Sequence, residues 1–232
     1  MNNTKRWLLP DGVEEILPSD AGKLESIRRG LLDLYKSWGY QFVITPLVEY
    51  LESLLVGSSH DLDLQTFKIT DQLSGRMMGI RADITPQVSR IDAHCLDRKG
   101  PVRLCYSDNV LHTKPRGIMT SRVPIKIGAE LYGDSSFNSD AEMICLMYES
   151  LNVIGVSDIH IVVGHVGIFR RLVREAKLEK SEEKLLFESM QRKAYDEVDK
   201  LIFRFVRDES IGMLLSSLIR LSGDESVLEK AL

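Results

Sequence analysis

The chain has 232 residues, 44% apolar and 28% charged, which is enough to bury a domain-sized core and ordinary for a folded protein in water. Its formal net charge is -4 with no run of five like charges, which argues against the clustered Lys and Arg that displace counterions from nucleic-acid phosphates. No apolar run reaches the ~18 residues of a membrane helix, and the opening MNNTKRWLLPDG holds no signal-peptide core. Three dispersed cysteines, Cys95, Cys105 and Cys145, predict reduced, buried thiols in a cytoplasmic protein.

In chain order, Ser19 or Asp20 is placed to cap a first helix. Leu24, Ile27, Leu31, Leu34 and Trp38 recur there at helical spacing, and Gly39 suits a left-handed exit. YQFVITP follows as a short strand stopped by Pro46, then a short helix around VEYLESLL. From Thr66 the period changes to two, and TFKITDQLSGRMMGIRAD predicts a hairpin turning between Asp71 and Gly75 and running on through IRADIT. Thr85-Pro86 predicts a strand-to-helix junction, with Thr as cap and Pro at the first helical position, where its missing N–H costs nothing.

VRLCYS and PIKIGAELYG predict two further strands; in the second, Ile125, Ile127, Ala129 and Leu131 alternate with Lys126, Gly128, Glu130 and Tyr132. NSDAEMICLMYESL predicts a helix with Ser139 and Glu142 at capping-box spacing. DIHIVVG predicts a buried strand, VGIFRRLVREAKL a helix, and the charged sequence from about Lys180 onward more helix. Consecutive strands with interspersed helices predict an α+β fold, an antiparallel sheet flanked by helices.

Two strands carry polar residues in file. IRADIT aligns Arg81, Asp83 and Thr85, and IKIGAELYG aligns Lys126 and Glu130. On one side of one sheet, two carboxylates and a hydroxyl suit an ammonium ion, because hydrogen bonds to ionised groups are the strong ones. Arg81 and Lys126 would then hold a ligand carboxylate, with Gly128 leaving room for the ligand beside the backbone. The solvent-facing side of an antiparallel sheet produces the same alternation, so the pattern alone leaves both readings open. The five histidines lack metal-binding spacing, and GHVG at Gly164 to Gly167 lacks the phosphate-loop pattern and reads as a tight turn.

The succession of segments resembles a known family. SWGYQFVITPLVE is similar to motif 1 of class II aminoacyl-tRNA synthetases, the dimer-interface element, with Gly39, Pro46 and Glu49 at its marker positions. IRADITPQVSR resembles the RPEGT segment of histidyl-tRNA synthetases, and CYSDNVLHTKPRGIMTSRVPIKIGAELYG resembles motif 2 and the GxE strand after it. IRADITPQVSRIDAH, VLHTKPRG, IGAELYGD and VGHVGIFRRLV together are similar to the regulatory subunits of ATP phosphoribosyltransferase, paralogues of those synthetases.

That resemblance implies a histidine site built on Asp83, Thr85 and Glu130, with Lys126 where the synthetases have a glutamine. It also implies a degenerate motif 2, comprising His112 and Arg122, in which His112 replaces the arginine that grips the ATP α-phosphate. An imidazole does not replace a permanently charged, bidentate guanidinium there, so amino-acid activation is expected to be lost. The chain carries no paired-acid, glycine-rich phosphoribosyltransferase loop. No cofactor is implied, and catalysis is expected in a short-form catalytic partner, within a hetero-oligomer containing a homodimer of this chain and responding to L-histidine. Without motif 3 or a GGRYD-like segment before Leu232, the sequence reads as the N-terminal part of a longer subunit. The resemblance to class II synthetases also implies the domain division, a core over residues 1–178 that lacks motif 3 and a helical segment over 179–232 that starts an insertion. A histidyl-tRNA synthetase fragment and an amino-acid-binding scaffold with another partner are the alternatives.

Overall fold

The computed structural model describes residues 8–56, 60–97, 99–115, 117, 120–224 and 226–230; the stretch before Leu8 and Arg116 of the motif 2 loop, both used above, lie outside them. The chain divides into two compact units, Met1–Ile159 and His160–Leu232.

The first unit opens with α1 (Pro18–Ser37). It begins ahead of the expected Ser19 or Asp20 cap because Pro18 fits the first turn, and Leu17 takes the extended cap position. Asp20 instead lies within the first turn, ion-paired with Lys23 at 3.0 Å. The helix ends as its glycine predicts. Gly39 adopts φ +87°, its N–H donates to the Lys36 carbonyl at 3.0 Å, and the Tyr40 N–H donates to the Tyr35 carbonyl at 2.9 Å.

There follow β1 (Gln41–Phe42), β2 (Val48–Tyr50), α2 (Leu51–Leu54), α3 (His60–Gln65), β3 (Phe67–Thr70), β4 (Met77–Ile80), α4 (Thr85–His94), β5 (Val102–Asn109), β6 (Ile125–Tyr132) and α5 (Phe137–Val153). The hairpin turn lies at Asp71 to Gly75, where the Asp71 carboxylate accepts the Leu73 and Ser74 N–H groups. The helix expected over VEYLESLL is shorter than its pattern, because Val48, Glu49 and Tyr50 pair with Ile80, Gly79 and Met78 as a strand. Gly79 is required there: a Cβ would lie 2.8 Å from a Leu54 methyl and 2.9 Å from that of Thr66. IRADIT is likewise not a strand, since pairing stops at Ile80 and the chain leaves the sheet before α4.

Among the described residues the strands form two three-stranded sheets, β2-β4-β3 and β1-β5-β6. The second is mixed rather than purely antiparallel: β1 runs parallel to β5, and β5 pairs antiparallel with β6 from Val102↔Tyr132 to Asn109↔Ile125. On one of its faces Val102, Leu104 and Tyr106 pack with Ile84 and Val88 of the α4 segment. On the other, Cys105, Ile127 and Ala129 pack with Tyr35 and Leu146, from α1 and α5. Of the cysteines only Cys105 is buried, and burial pushes its thiol up to about 11; Cys95 and Cys145 are exposed, contrary to the expectation from their apolar neighbours. At α5 the expected capping box is absent. Ser136 is the cap, Ser139 is buried in the first turn, and Glu142 accepts from Arg103 at 2.7 and 2.6 Å and from Tyr40 at 3.0 Å.

The expected strand DIHIVVG, residues 158–164, does not form. Val162 and Val163 are 82% and 72% exposed, and no described strand pairs with them. Helices α6 (Val166–Glu175), α7 (Lys180–Gln191), α8 (Tyr195–Phe205), α9 (Glu209–Leu218) and α10 (Ser226–Lys230) follow. Phe169 and Val173 of α6 share one core with Leu186, Val198, Ile202 and Leu215. The compact unit therefore includes α6, whereas the sequence-based boundary after residue 178 separates α6 from α7. A Glu179–Glu182 capping box starts α7, and Asp208 caps α9 through the Ser210 and Ile211 amides. Among the described residues no helix is long and apolar enough to cross a membrane.

Candidate functional site

The start of α4 creates the site. Asp83 Oδ1 accepts the Ile84 N–H at 2.6 Å and the Thr85 N–H at 3.1 Å, while Ile84 holds the cap position without a side-chain bond and Thr85, expected as the cap, is the first helical residue. The Thr85 hydroxyl is thereby left to point across to β6, donating to Glu130 Oε1 at 2.9 Å. Alternation along β6 places Lys126, Gly128 and Glu130 on the face covered by α4, opposite Asp108, Tyr106 and Leu104 of β5. Lys126 Nζ donates to Asp83 Oδ1 at 2.6 Å. The two carboxylates, hydroxyl and lysine expected to converge are thus in one cluster.

The two carboxylates differ electrostatically. Burial opposes the charge on Asp83, but the Lys126 hydrogen bond and the Thr85 and Ile84 amides outweigh it and hold the carboxyl below its ordinary range. Glu130 moves the other way. Burial is the main cause and the Asp83 charge adds to it, against the hydrogen bonds from Thr85 and Tyr106. A half-buried carboxylate with a raised pKa beside an ionised one gains from an incoming cation, which is the chemistry of an ammonium site.

Tyr106 belongs to the cluster although the sequence reading did not single it out. Its hydroxyl lies 3.2 Å from the Thr85 hydroxyl and 3.4 Å from Glu130 Oε1, and burial pushes its pKa up to about 12. Tyr106 pairs in register with Gly128, and a Cβ on Gly128 would lie 2.5 Å from its Cζ and Oη atoms. The room left by Gly128 is therefore taken by the tyrosine rather than by a ligand. The signal was an aromatic in one strand facing a glycine in the next, which is visible only once the register is known.

Arg81 is not brought into the cluster. It is 1% exposed, and it donates to the Asn109 carbonyl at 2.9 Å and to the Thr45 carbonyl and hydroxyl, each at 2.8 Å. It also ion-pairs with Asp108 at 2.8 Å. That guanidinium fastens the two sheets' connections to the scaffold. His112 is 5% exposed with Nε2 3.1 Å from the Ala82 carbonyl. Arg122 donates to the backbone carbonyls of His112 at 3.0 Å and Asp11 at 3.1 Å, and lies over the Phe67 ring. Both motif 2 residues are thus engaged with protein groups.

The motif 1 markers have local roles as well. Gly39 ends α1, Pro46 accepts from the Gln87 amide at 2.7 Å, and Glu49, with 7% of its side chain exposed, accepts from Gln87 and ion-pairs with Arg90. A cavity of about 390 Å³ lies beside the cluster, lined by Val110, His112, Ser121, Pro124 and Lys126 among others.

A family model described as histidyl-tRNA synthetase matches residues 12–232. An ATP phosphoribosyltransferase regulatory subunit from Stutzerimonas stutzeri is 56% identical over 231 residues, covering 100% of this chain and 58% of the relative. One from Ectopseudomonas mendocina is 55% identical, and the chain again spans 58% of its length. Among solved structures, an ATP phosphoribosyltransferase regulatory subunit/histidyl-tRNA synthetase from Bacillus halodurans aligns with a TM-score of 0.85 at 28% identity. That alignment covers 100% of this chain and 60% of the other. The fold is that of class II aminoacyl-tRNA synthetases, and the chain belongs to the histidyl-tRNA synthetase family.

Proposed function

We propose that this chain acts in a regulatory subunit of ATP phosphoribosyltransferase, in the cytoplasm, as a histidine-sensing component with no catalysis of its own. Asp83, Thr85 and Glu130 hold the α-ammonium group of L-histidine, and Lys126 reaches its carboxylate. The reaction, the first step of histidine biosynthesis, lies in a short-form catalytic subunit that this chain activates and renders sensitive to feedback. A homodimer formed through the motif 1 region, with Gly39, Pro46 and Glu49, is the unit that enters the hetero-oligomer. The observation that supports this reading is the Lys126–Asp83 pair and the Thr85–Glu130 hydrogen bond in one cluster, together with His112, which the resemblance sets at the nucleotide-gripping arginine, buried against a backbone carbonyl. The identity to regulatory subunits supports it from the side of sequence. Feedback then follows from linkage: histidine must bind one state of the assembly better than another.

Reconstitution tests this reading. Added chain is expected to raise the activity of a short-form ATP phosphoribosyltransferase, and histidine to lower it again; no activation counts against the proposal. The match to the histidyl-tRNA synthetase model favours a second reading, a synthetase fragment. Histidine-dependent pyrophosphate exchange separates the two, since the regulatory reading expects none.

A further inference from the structure

Lys126 does more than sit near the cluster. Its Nζ is 2.6 Å from Asp83 Oδ1, the same oxygen that accepts the Ile84 and Thr85 amides. With side-chain exposures of 35% for Lys126 and 23% for Asp83, the pair is only partly screened by water. An ε-ammonium therefore already occupies the carboxylate that a ligand ammonium would use. Lys126 also lines the 390 Å³ cavity, whereas Asp83, Thr85 and Glu130 do not.

The consequence depends on what the ligand carries. A simple amine arriving at Asp83 displaces one cation with another and leaves the lysine's charge without its partner, so its contact with Glu130 is gained only at the loss of the Lys126–Asp83 pair. A zwitterion brings both halves of a second pair. Its ammonium takes Asp83 and Glu130 as the amine's does, and its carboxylate also takes the displaced lysine, so the lysine's ion pair is exchanged rather than lost. The lysine is suited to this, because its flexible stem carries a point charge with freely rotating donors, which a rigid guanidinium fork lacks. Arg81, held by Thr45, Asn109 and Asp108, makes no such move.

We infer that Lys126 is the specificity-determining residue of this site: it guards Asp83 against simple amines and yields it to α-amino acids by exchanging one carboxylate for another. The inference rests on the ammonium-site reading above and adds the rule by which that site chooses its ligands.

The test compares L-histidine with histamine, its decarboxylated analogue, by calorimetric titration of the full chain. The variants are Lys126→Met and the more polar Lys126→Gln, each with melting temperature checked. The wild-type chain is expected to bind histidine at least about tenfold tighter than histamine, the scale of one lost charge-assisted hydrogen bond. In both variants histidine is expected to weaken while histamine tightens, so the preference collapses. The tightening of histamine is diagnostic: a lysine that only holds the ligand carboxylate leaves histamine unchanged, and a lysine needed for the fold weakens both ligands. Either of those outcomes overturns the inference. If the wild-type chain binds histidine and Asp83→Ala weakens it, yet histamine is unmoved by Lys126→Met, only the exchange fails and the ammonium site stands. If the wild-type chain binds neither ligand, the site and the exchange fail together.

Discussion

Glu130 and Asp83 share one cluster but their carboxyl pKa values are displaced in opposite directions, and that opposition is measurable without any ligand. The raised Glu130 carboxyl favours the folded state below its ordinary value of 4.5 and loses that contribution as pH rises through its folded pKa. The lowered Asp83 carboxyl contributes above 3.8 and loses its contribution as pH falls through its own folded pKa. Thermal melts from pH 3 to 8 are therefore expected to show Glu130→Gln more stable than wild type at neutral pH, with the gap closing in acid. Asp83→Asn is expected to be less stable at neutral pH, with its gap also closing in acid. A neutral-pH loss in Glu130→Gln would show that the carboxylate supports the fold. Lys126 and Glu130 were legible from the alternation along β6, whereas Asp83 and Thr85 rested on the resemblance, because the chain leaves the sheet after Ile80 and IRADIT forms no strand face. Arg81 was expected in the same file but serves the scaffold, because the chain leaves the sheet after Ile80 and its guanidinium is held by Thr45, Asn109 and Asp108. Tyr106 was missed because its role depends on the register of a neighbouring strand.

At the scale of elements, the β5–β6 pair carries the site and Gly128 lets it close. Substituting Gly128→Ala places a methyl 2.5 Å from the Tyr106 ring, and denaturant unfolding is expected to register a loss of about 1–3 kcal/mol from overpacking. Pairing it with Tyr106→Leu should recover part of that loss; a single variant as stable as wild type would mean the ring moves aside freely. The hairpin at Asp71 to Gly75 and the glycine exit of α1 were readable because their determinants are local. The strand β2 was not, since Val48 to Tyr50 carry a helical pattern that pairing with β4 overrides. DIHIVVG failed in the opposite way: its apolar composition was plain, but a strand exists only through a partner, and none pairs with it among the described residues.

Over the whole molecule, the chain spans 58% of the length of the curated relatives it matches, and all the residues proposed to touch histidine lie in the unit Met1–Ile159. The helical unit has its own core, in which Leu186 and Leu215 are fully buried. Leu186→Ala is accordingly expected to destabilise that unit by ~2–5 kcal/mol in denaturant unfolding while histidine affinity stays at the wild-type value. A parallel loss of affinity would show the two units to be coupled. Fold class was legible because helices and strands alternate in a recognisable order, whereas the unit boundary depended on which core the face of α6 joins. The central claim, that Asp83 and Glu130 receive an α-ammonium group, is tested most directly by titrating L-histidine into the full chain and into Asp83→Ala and Glu130→Ala. Each substitution is predicted to weaken binding by more than ~1 kcal/mol, the least that removing an ionised hydrogen-bond partner usually costs. Unchanged affinity in both variants would contradict it.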